Sequence, residues 1–389
     1  MTYDLWERRE LFNDDHQAYR GAVRAFADRQ LVDATQWDDD GMIPRELWLR
    51  AGDQGLLGVN APSEYGGGGA LRDFAFRVAA IEELARAGAS SFNAGTSCHA
   101  DIVLPYLAAL ATPEQSARWM PPMCSGELIG AIAMTEPGAG SDLRGIRTTA
   151  RPTGDGWVLN GAKTFITNGI YSGLVVVVAR TDPDPAAGSR AFSLLVVEEG
   201  MAGFTRGRKL EKVGLRGQDT AELNFTDVEV PAGNVLGEVG RGLHYLMANL
   251  PVERLSIAVT ACAGARAALD WTLDHVRTRE AFGQRIADFQ NTQFAVAEMV
   301  TELEVTQAYV DRAVARHDAG ALTPVDAAKA KWWATEMHKR TVDRCLQLFG
   351  GYGYMLEYPI ARAYLDTRVT TIYGGTTEIM KHLIARDVL

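Results

Sequence analysis

The stretch Ile372-Tyr373-Gly374-Gly375-Thr376-Thr377-Glu378-Ile379 lies near the end of a 389-residue chain. Two adjacent glycines permit a backbone turn that other residues resist. Glu378 falls on the opening turn of a following helix, where an acid suits the helix dipole. Outward from this turn, the chain back to about Gly242 reads as long helices. Thr323-Pro324-Val325-Asp326 is a helix start: a Thr cap, Pro at the first helical position and an acid at the third. Val342, Cys345, Leu346 and Phe349 then recur at helical spacing as one apolar stripe, and Gly350-Gly351 ends that helix.

Before Pro231 and the Gly-rich Gly237-Glu238-Val239-Gly240-Arg241-Gly242 the texture changes. Trp157 to Thr167, Leu174 to Thr181, Ala191 to Glu198 and Ala221 to Val230 are β-branched or aromatic-rich runs separated by Gly, Asp and Pro clusters, which predicts an all-β region. Glu222, Asn224 and Thr226 alternate with Leu223 and Phe225, as in a sheet with one wet face. The first third is helical again, over Leu5 to Leu31 and Leu71 to Ala87, with a loop at Pro62 to Gly69 and Pro121-Pro122 closing the region. The layout predicts an α+β protein with helical residues 1–128, a β domain over 129–240 and helices over 241–389.

Composition narrows the function. Hydrophobic residues make up 47% and charged residues 23%, the balance of a well-packed globular chain. A net charge of −10 argues against nucleic acid or an anionic membrane as the main partner. The start is polar, and the longest aliphatic run, Leu174 to Ala179, falls far short of a membrane span. Cys98, Cys124, Cys262 and Cys345 form no metal spacing. They read as thiols in a reducing compartment, so a cytoplasmic location is expected. No GxGxxG opens a βαβ unit, and there is no GxxxxGK[ST], HExxH or GxSxG. Neither a nicotinamide cofactor nor a catalytic metal is expected. Cys98-His99 would point apart on a helix and make a poor nucleophile–base pair.

Three further segments carry chemistry. Ala133-Met134-Thr135-Glu136-Pro137-Gly138-Ala139-Gly140-Ser141-Asp142 is either an ordinary surface turn or a loop that lines a planar, polar-edged ring or cradles a diphosphate. Gln347-Leu348-Phe349-Gly350-Gly351-Tyr352-Gly353-Tyr354 is by itself a helix stop, whose glycines also allow close backbone approach. Arg277-Thr278-Arg279-Glu280-Ala281-Phe282-Gly283-Gln284 is by itself an exposed helix end with a basic residue near its C-terminus.

Together with the Ile372 to Ile379 turn, these segments resemble the acyl-CoA dehydrogenase family across essentially the whole chain. The resemblance leans to its long-chain branch, as do Gly207 to Leu210, Gln218 to Leu223, Glu357 to Ala361 and the tail from Ile372 to Arg386. It implies an N-terminal helical domain, a central β-barrel-like domain and a C-terminal four-helix bundle. It also implies FAD, with Met134, Thr135, Phe165 and Thr167 lining the ring and Ser141 contacting its phosphate or the thioester ligand. Phe165 replaces a tryptophan found in many relatives. Arg279, Phe282, Gln290, Gln347, Gly350 and Gly351 would hold the adenosine diphosphate partly from a neighbouring subunit, in a homotetramer built as a dimer of dimers. Thr376 and Glu378 would contact the flavin nucleotide of their own subunit.

The implied reaction removes a proton from the α-carbon of an acyl-CoA as a hydride leaves the β-carbon, in fatty-acid β-oxidation, with electrons passed to an electron-transfer flavoprotein. Many relatives carry the catalytic glutamate where this chain has Gly374. In the long-chain and isovaleryl branches it sits on a helix of the C-terminal domain instead, and Glu253 of Leu250-Pro251-Val252-Glu253-Arg254-Leu255 falls at that place. A glutamate on a helix is usually solvated; the resemblance makes Glu253 the expected base. Gly374 would donate its N–H to the thioester oxygen, and Arg254, Tyr373 and Ser141 complete the expected substrate contacts. Same-fold alternatives are action on a carrier-protein thioester, an oxygen-using oxidase or monooxygenase, and a non-catalytic FAD scaffold.

Overall fold

A computed structural model of the chain describes residues 5–6, 9–32 and 34–389. Among the described residues seven helices come first: α1 (Asp14–Gln30), α2 (Ala34–Asp40), α3 (Arg45–Asp53), α4 (Ala75–Arg86), α5 (Ser90–Ser97), α6 (Leu104–Leu110) and α7 (Pro113–Cys124). Helix α1 starts later than the sequence pattern predicts, because Asn13 and His16 form a reciprocal capping box. Pro121 and Pro122 lie inside the last turn of α7 rather than after it. Between α5 and α6, Cys98–Val103 is π-helical, a local departure from α-helical winding that is rare and concentrates at functional sites.

Eight strands follow: β1 (Ile129–Ala133), β2 (Thr149–Pro152), β3 (Gly156–Thr167), β4 (Ser172–Arg180), β5 (Phe192–Glu198), β6 (Phe204–Lys209), β7 (Thr220–Pro231) and β8 (Val235–Leu236). They form one sheet in the order β6-β7-β3-β2-β4-β5-β8, with β1 parallel to β4. The expected barrel-like shape is thus a sheet whose two ends, β6 and β8, do not pair with each other. Strand β6 escaped the sequence reading because Thr205 to Lys209 is mostly polar, and pairing with β7 extends it. The register of β3 against β7 slips between Lys163 and Ile166, and that irregularity carries Phe165.

The C-terminal region holds α8 (Gly242–Thr278), a short hairpin of β9 (Glu280–Ala281) and β10 (Gln284–Arg285), α9 (Gln290–Asp318), α10 (Pro324–Phe349), α11 (Pro359–Thr367) and α12 (Thr377–Val388). The predicted Thr323 capping box is formed with Asp326. Small residues along α8, including Ala258, Ala261, Ala265 and Ala268, are buried with Met337, Val342 and Cys345 of α10; short side chains let these helices approach closely. The first turns of α8, at Leu243 and Leu246, pack instead on the β-sheet and α6. One long helix therefore ties the bundle to the sheet, and Glu253 sits where it passes from one to the other.

Candidate active site

Glu253 follows Pro251, which lies inside α8, and only 3% of its surface is exposed. The hydroxyl of Tyr106, on α6, donates to Glu253 Oε1 at 2.8 Å. Burial disfavours the carboxylate and pushes its pKa up to about 7, against the opposing pulls of the Tyr106 hydrogen bond and the Arg254 charge. A carboxyl poised there can exchange a proton near neutral pH. The rest of this stretch of helix is pinned by Ser256, whose hydroxyl donates to Asp101 Oδ2 at 2.7 Å; Asp101 is in turn ion-paired to buried Arg77.

The 372–379 turn is docked beside this helix by two cations. Arg254 Nε donates to the Gly374 carbonyl at 3.3 Å and Lys331 Nζ to the Gly375 carbonyl at 2.7 Å. Gly374 has φ +64°, a left-handed conformation that disfavours side chains. A Cβ built there would lie 2.3 Å from Ile257 Cδ1. The space beside the turn is thus filled by the residue one turn after Glu253. Tyr373 is half-buried beside it. Thr376 caps α12, its hydroxyl accepting from Ile379 N, and Glu378 is exposed in the first turn.

The loop at Met134 and Thr135 lies against β3, the strand that carries Phe165 and Thr167. Thr164 N donates to the Thr135 carbonyl at 2.9 Å, and buried Lys163 bridges the Met134 carbonyl and Glu136. Glu136 also accepts from Arg147 N and Thr148 N, so it anchors its own loop, and Glu136 N and Ala139 N are paired across the turn. Phe165 stands 68% exposed with φ +59°. Met134 packs against the cluster that contains Cys98 and Tyr106. The Cys98 thiol is pushed up to about 12 by burial and, next, by the charge of Glu253. Cys98 is thus near both Glu253 and the Ile132 backbone of β1, the strand that leads into this loop.

The remaining candidates lie elsewhere. Arg279 caps the far end of α8, about 39 Å from Glu253 at ~1.5 Å per helical residue. Its guanidinium lies over the Tyr352 ring at 5.4 Å, and His275 stacks on Phe349 at 4.2 Å, which gathers Arg279 with Gln347, Gly350 and Gly351. Phe282 tips the β9–β10 hairpin, 96% exposed with φ +53°, and Gln290 opens α9. A Cβ at Gly350 or Gly351 would meet no atom within 4 Å, so the patch is open. Ser141 is in neither group. It lines a cleft of about 1420 Å³ with Arg144, Arg190, Arg241, His244, Met247 and Arg386 among its walls.

Sequence reasoning missed Tyr106, Lys331, Ile257 and this cationic cleft. A lone Tyr or Ile in a helix carries no mark of its partner, and the cleft residues come from four separate segments.

Three domain descriptions match the chain: "Acyl-CoA dehydrogenase, N-terminal domain" over residues 13–127, "middle domain" over 131–228 and "C-terminal domain" over 240–389. The chain belongs to the acyl-CoA dehydrogenase family, flavin-dependent oxidoreductases acting on CH–CH bonds. It is 46% identical over 382 residues to the mitochondrial long-chain specific acyl-CoA dehydrogenase of Mus musculus, covering 98% of this chain and 88% of that protein. The crystal structure of an acyl-CoA dehydrogenase from Geobacillus kaustophilus superposes with a TM-score of 0.94 at 48% identity, covering 98% and 100% of the two chains. A glutaryl-CoA dehydrogenase from Mycobacterium smegmatis in complex with FADH2 superposes at 0.91 with 28% identity, covering 99% of this chain and 97% of that one.

Proposed function

We propose that this protein catalyses the α,β-dehydrogenation of an acyl-CoA to the trans-2-enoyl-CoA, with Glu253 as the base. The observation that carries the reading is a buried carboxylate poised near neutrality beside a glycine turn that lacks one. Ionised Glu253 takes the α-proton; the backbone N–H of Gly374 donates to the thioester oxygen where charge develops. Arg254 and Lys331 hold the turn by its carbonyls, which leaves that amide fixed. A bound FAD supplies the acceptor for the β-hydride. Phe165, Met134, Thr135 and Thr167 fit its ring, since they present an exposed aromatic face and a paired, half-buried loop. The arginines of the cleft at Ser141 suit the phosphates of CoA. Long acyl chains lead as substrates, in keeping with the long-chain relative, and an electron-transfer flavoprotein is the proposed acceptor.

The separation of Glu253 and Arg279 along α8 supports a cofactor site shared between two copies of the chain. We assign Arg279, Phe282, Gln290, Gln347, Gly350 and Gly351 to the cofactor of a second copy, within a homotetramer. Arg279→Gln is expected to weaken FAD affinity about 10- to 100-fold, the worth of a hydrogen bond to a charged group. Titration of apoprotein with FAD measures it, and unchanged affinity removes Arg279 from the cofactor site.

Anaerobic titration with acyl-CoAs of increasing chain length, plus isovaleryl-CoA, tests the whole reading. Bleaching of the oxidised flavin by one length range fixes reaction and substrate together. A bound flavin untouched by every thioester overturns it, and rapid reoxidation in air would instead identify an oxidase.

A further inference from the structure

We infer that Tyr106 is the positioning residue of the base: its hydroxyl holds Glu253 Oε1 and leaves Oε2 as the atom that takes the substrate proton. This rests on Glu253 being the base. Tyr106 is 0% exposed, its hydroxyl lies 2.8 Å from Oε1, and it arrives on α6 directly after the π-helical turn Cys98–Val103. That turn re-phases α6 relative to a continuous α-helix. It also carries Asp101, which is fixed through Arg77 and Ser256. The same segment that presents the phenol is thus bolted to α8 one turn away from Glu253.

The phenol does two things for a buried carboxyl. It restricts the side chain to one rotamer, so that the free oxygen is aimed rather than averaged. It also stabilises the anion in a place where burial disfavours it, so the base is ionised at lower pH than burial alone would allow. The other groups facing Glu253 are Arg254 on α8 and Cys98 on the π-helical turn. The Cys98 thiol is neutral across the working range, and Arg254 is engaged with the Gly374 carbonyl. Tyr106 itself is raised well above its ordinary value and remains a donor throughout.

The test is the pH dependence of flavin reduction by a saturating acyl-CoA in the FAD-loaded Tyr106→Phe enzyme. Phenylalanine keeps the ring and removes the donor. The acid limb is expected to move up by about one pH unit, with the plateau rate lowered several-fold and KM nearly unchanged. A limb superposable on that of the unaltered enzyme overturns the inference. Flavin content and thermal melting of the Phe enzyme, measured alongside, separate a moved limb from a loss of fold. Glu253→Gln in the same assay separates the two ideas. Retained turnover there sinks the base assignment. Lost turnover in Glu253→Gln, together with an unmoved limb in Tyr106→Phe, sinks only the role of Tyr106.

Discussion

Glu253→Gln is expected to slow flavin reduction by acyl-CoA about 10⁴-fold, the upper end of what a general base contributes, while the flavin stays bound. The amide keeps the volume and can still accept from Tyr106, so the geometry survives and the proton acceptor does not. Near-normal rates would eliminate Glu253. The same variant reports on burial through stability. The folded-state pKa of about 7 lies above the unfolded value of about 4.3, so the native state favours the protonated form. The stability this gives is complete below the unfolded pKa and disappears as pH rises through about 7. Gln, which never ionises, should therefore gain on Glu across that window, reaching about 4 kcal/mol above it. Thermal or denaturant melts at several pH values read the difference. A difference that stays flat with pH would show that the carboxylate is solvated.

Returning a carboxylate to the turn is the second large effect. In the Glu253→Gln background, Gly374→Glu alone should restore little, because the new Cβ would lie 2.3 Å from Ile257 Cδ1 and the backbone sits at φ +64°. Adding Ile257→Ala opens that space. The triple variant should recover about 10- to 100-fold of the lost rate, since a general base typically contributes about 10²- to 10⁴-fold and this one is imperfectly placed. Equal activity of the double and triple variants would show that Ile257 yields freely and does not guard the turn. A lower rate in the double variant than in the triple would show that a side chain at 374 and the Cδ1 methyl of Ile257 compete for one volume.

Much of this is legible in the sequence. Alternating and helical periodicities located the three regions. The capping box at Thr323 and the helix start at Glu378 are local hydrogen-bond chemistry and appeared where the sequence placed them. Where local signals conflict with pairing they failed, as at polar β6, which is a strand because β7 offers it a ladder. The candidate base was legible only through resemblance, since a glutamate in a helix looks solvated until the helix is seen passing between sheet and bundle.

The amino-acid sequence by itself determined the order helix, sheet, helix and the absence of a carboxylate at 374, because these depend on neighbours in the chain. Tertiary structure alone decided that Glu253 is buried, that Tyr106 holds it from 147 residues away, and that Ile257 fills the vacated space. It also decided that Arg279, at the far end of α8, lies over the Tyr352 ring. Those are matters of which surfaces meet and which water is excluded, and a residue's type does not specify either until the chain has packed.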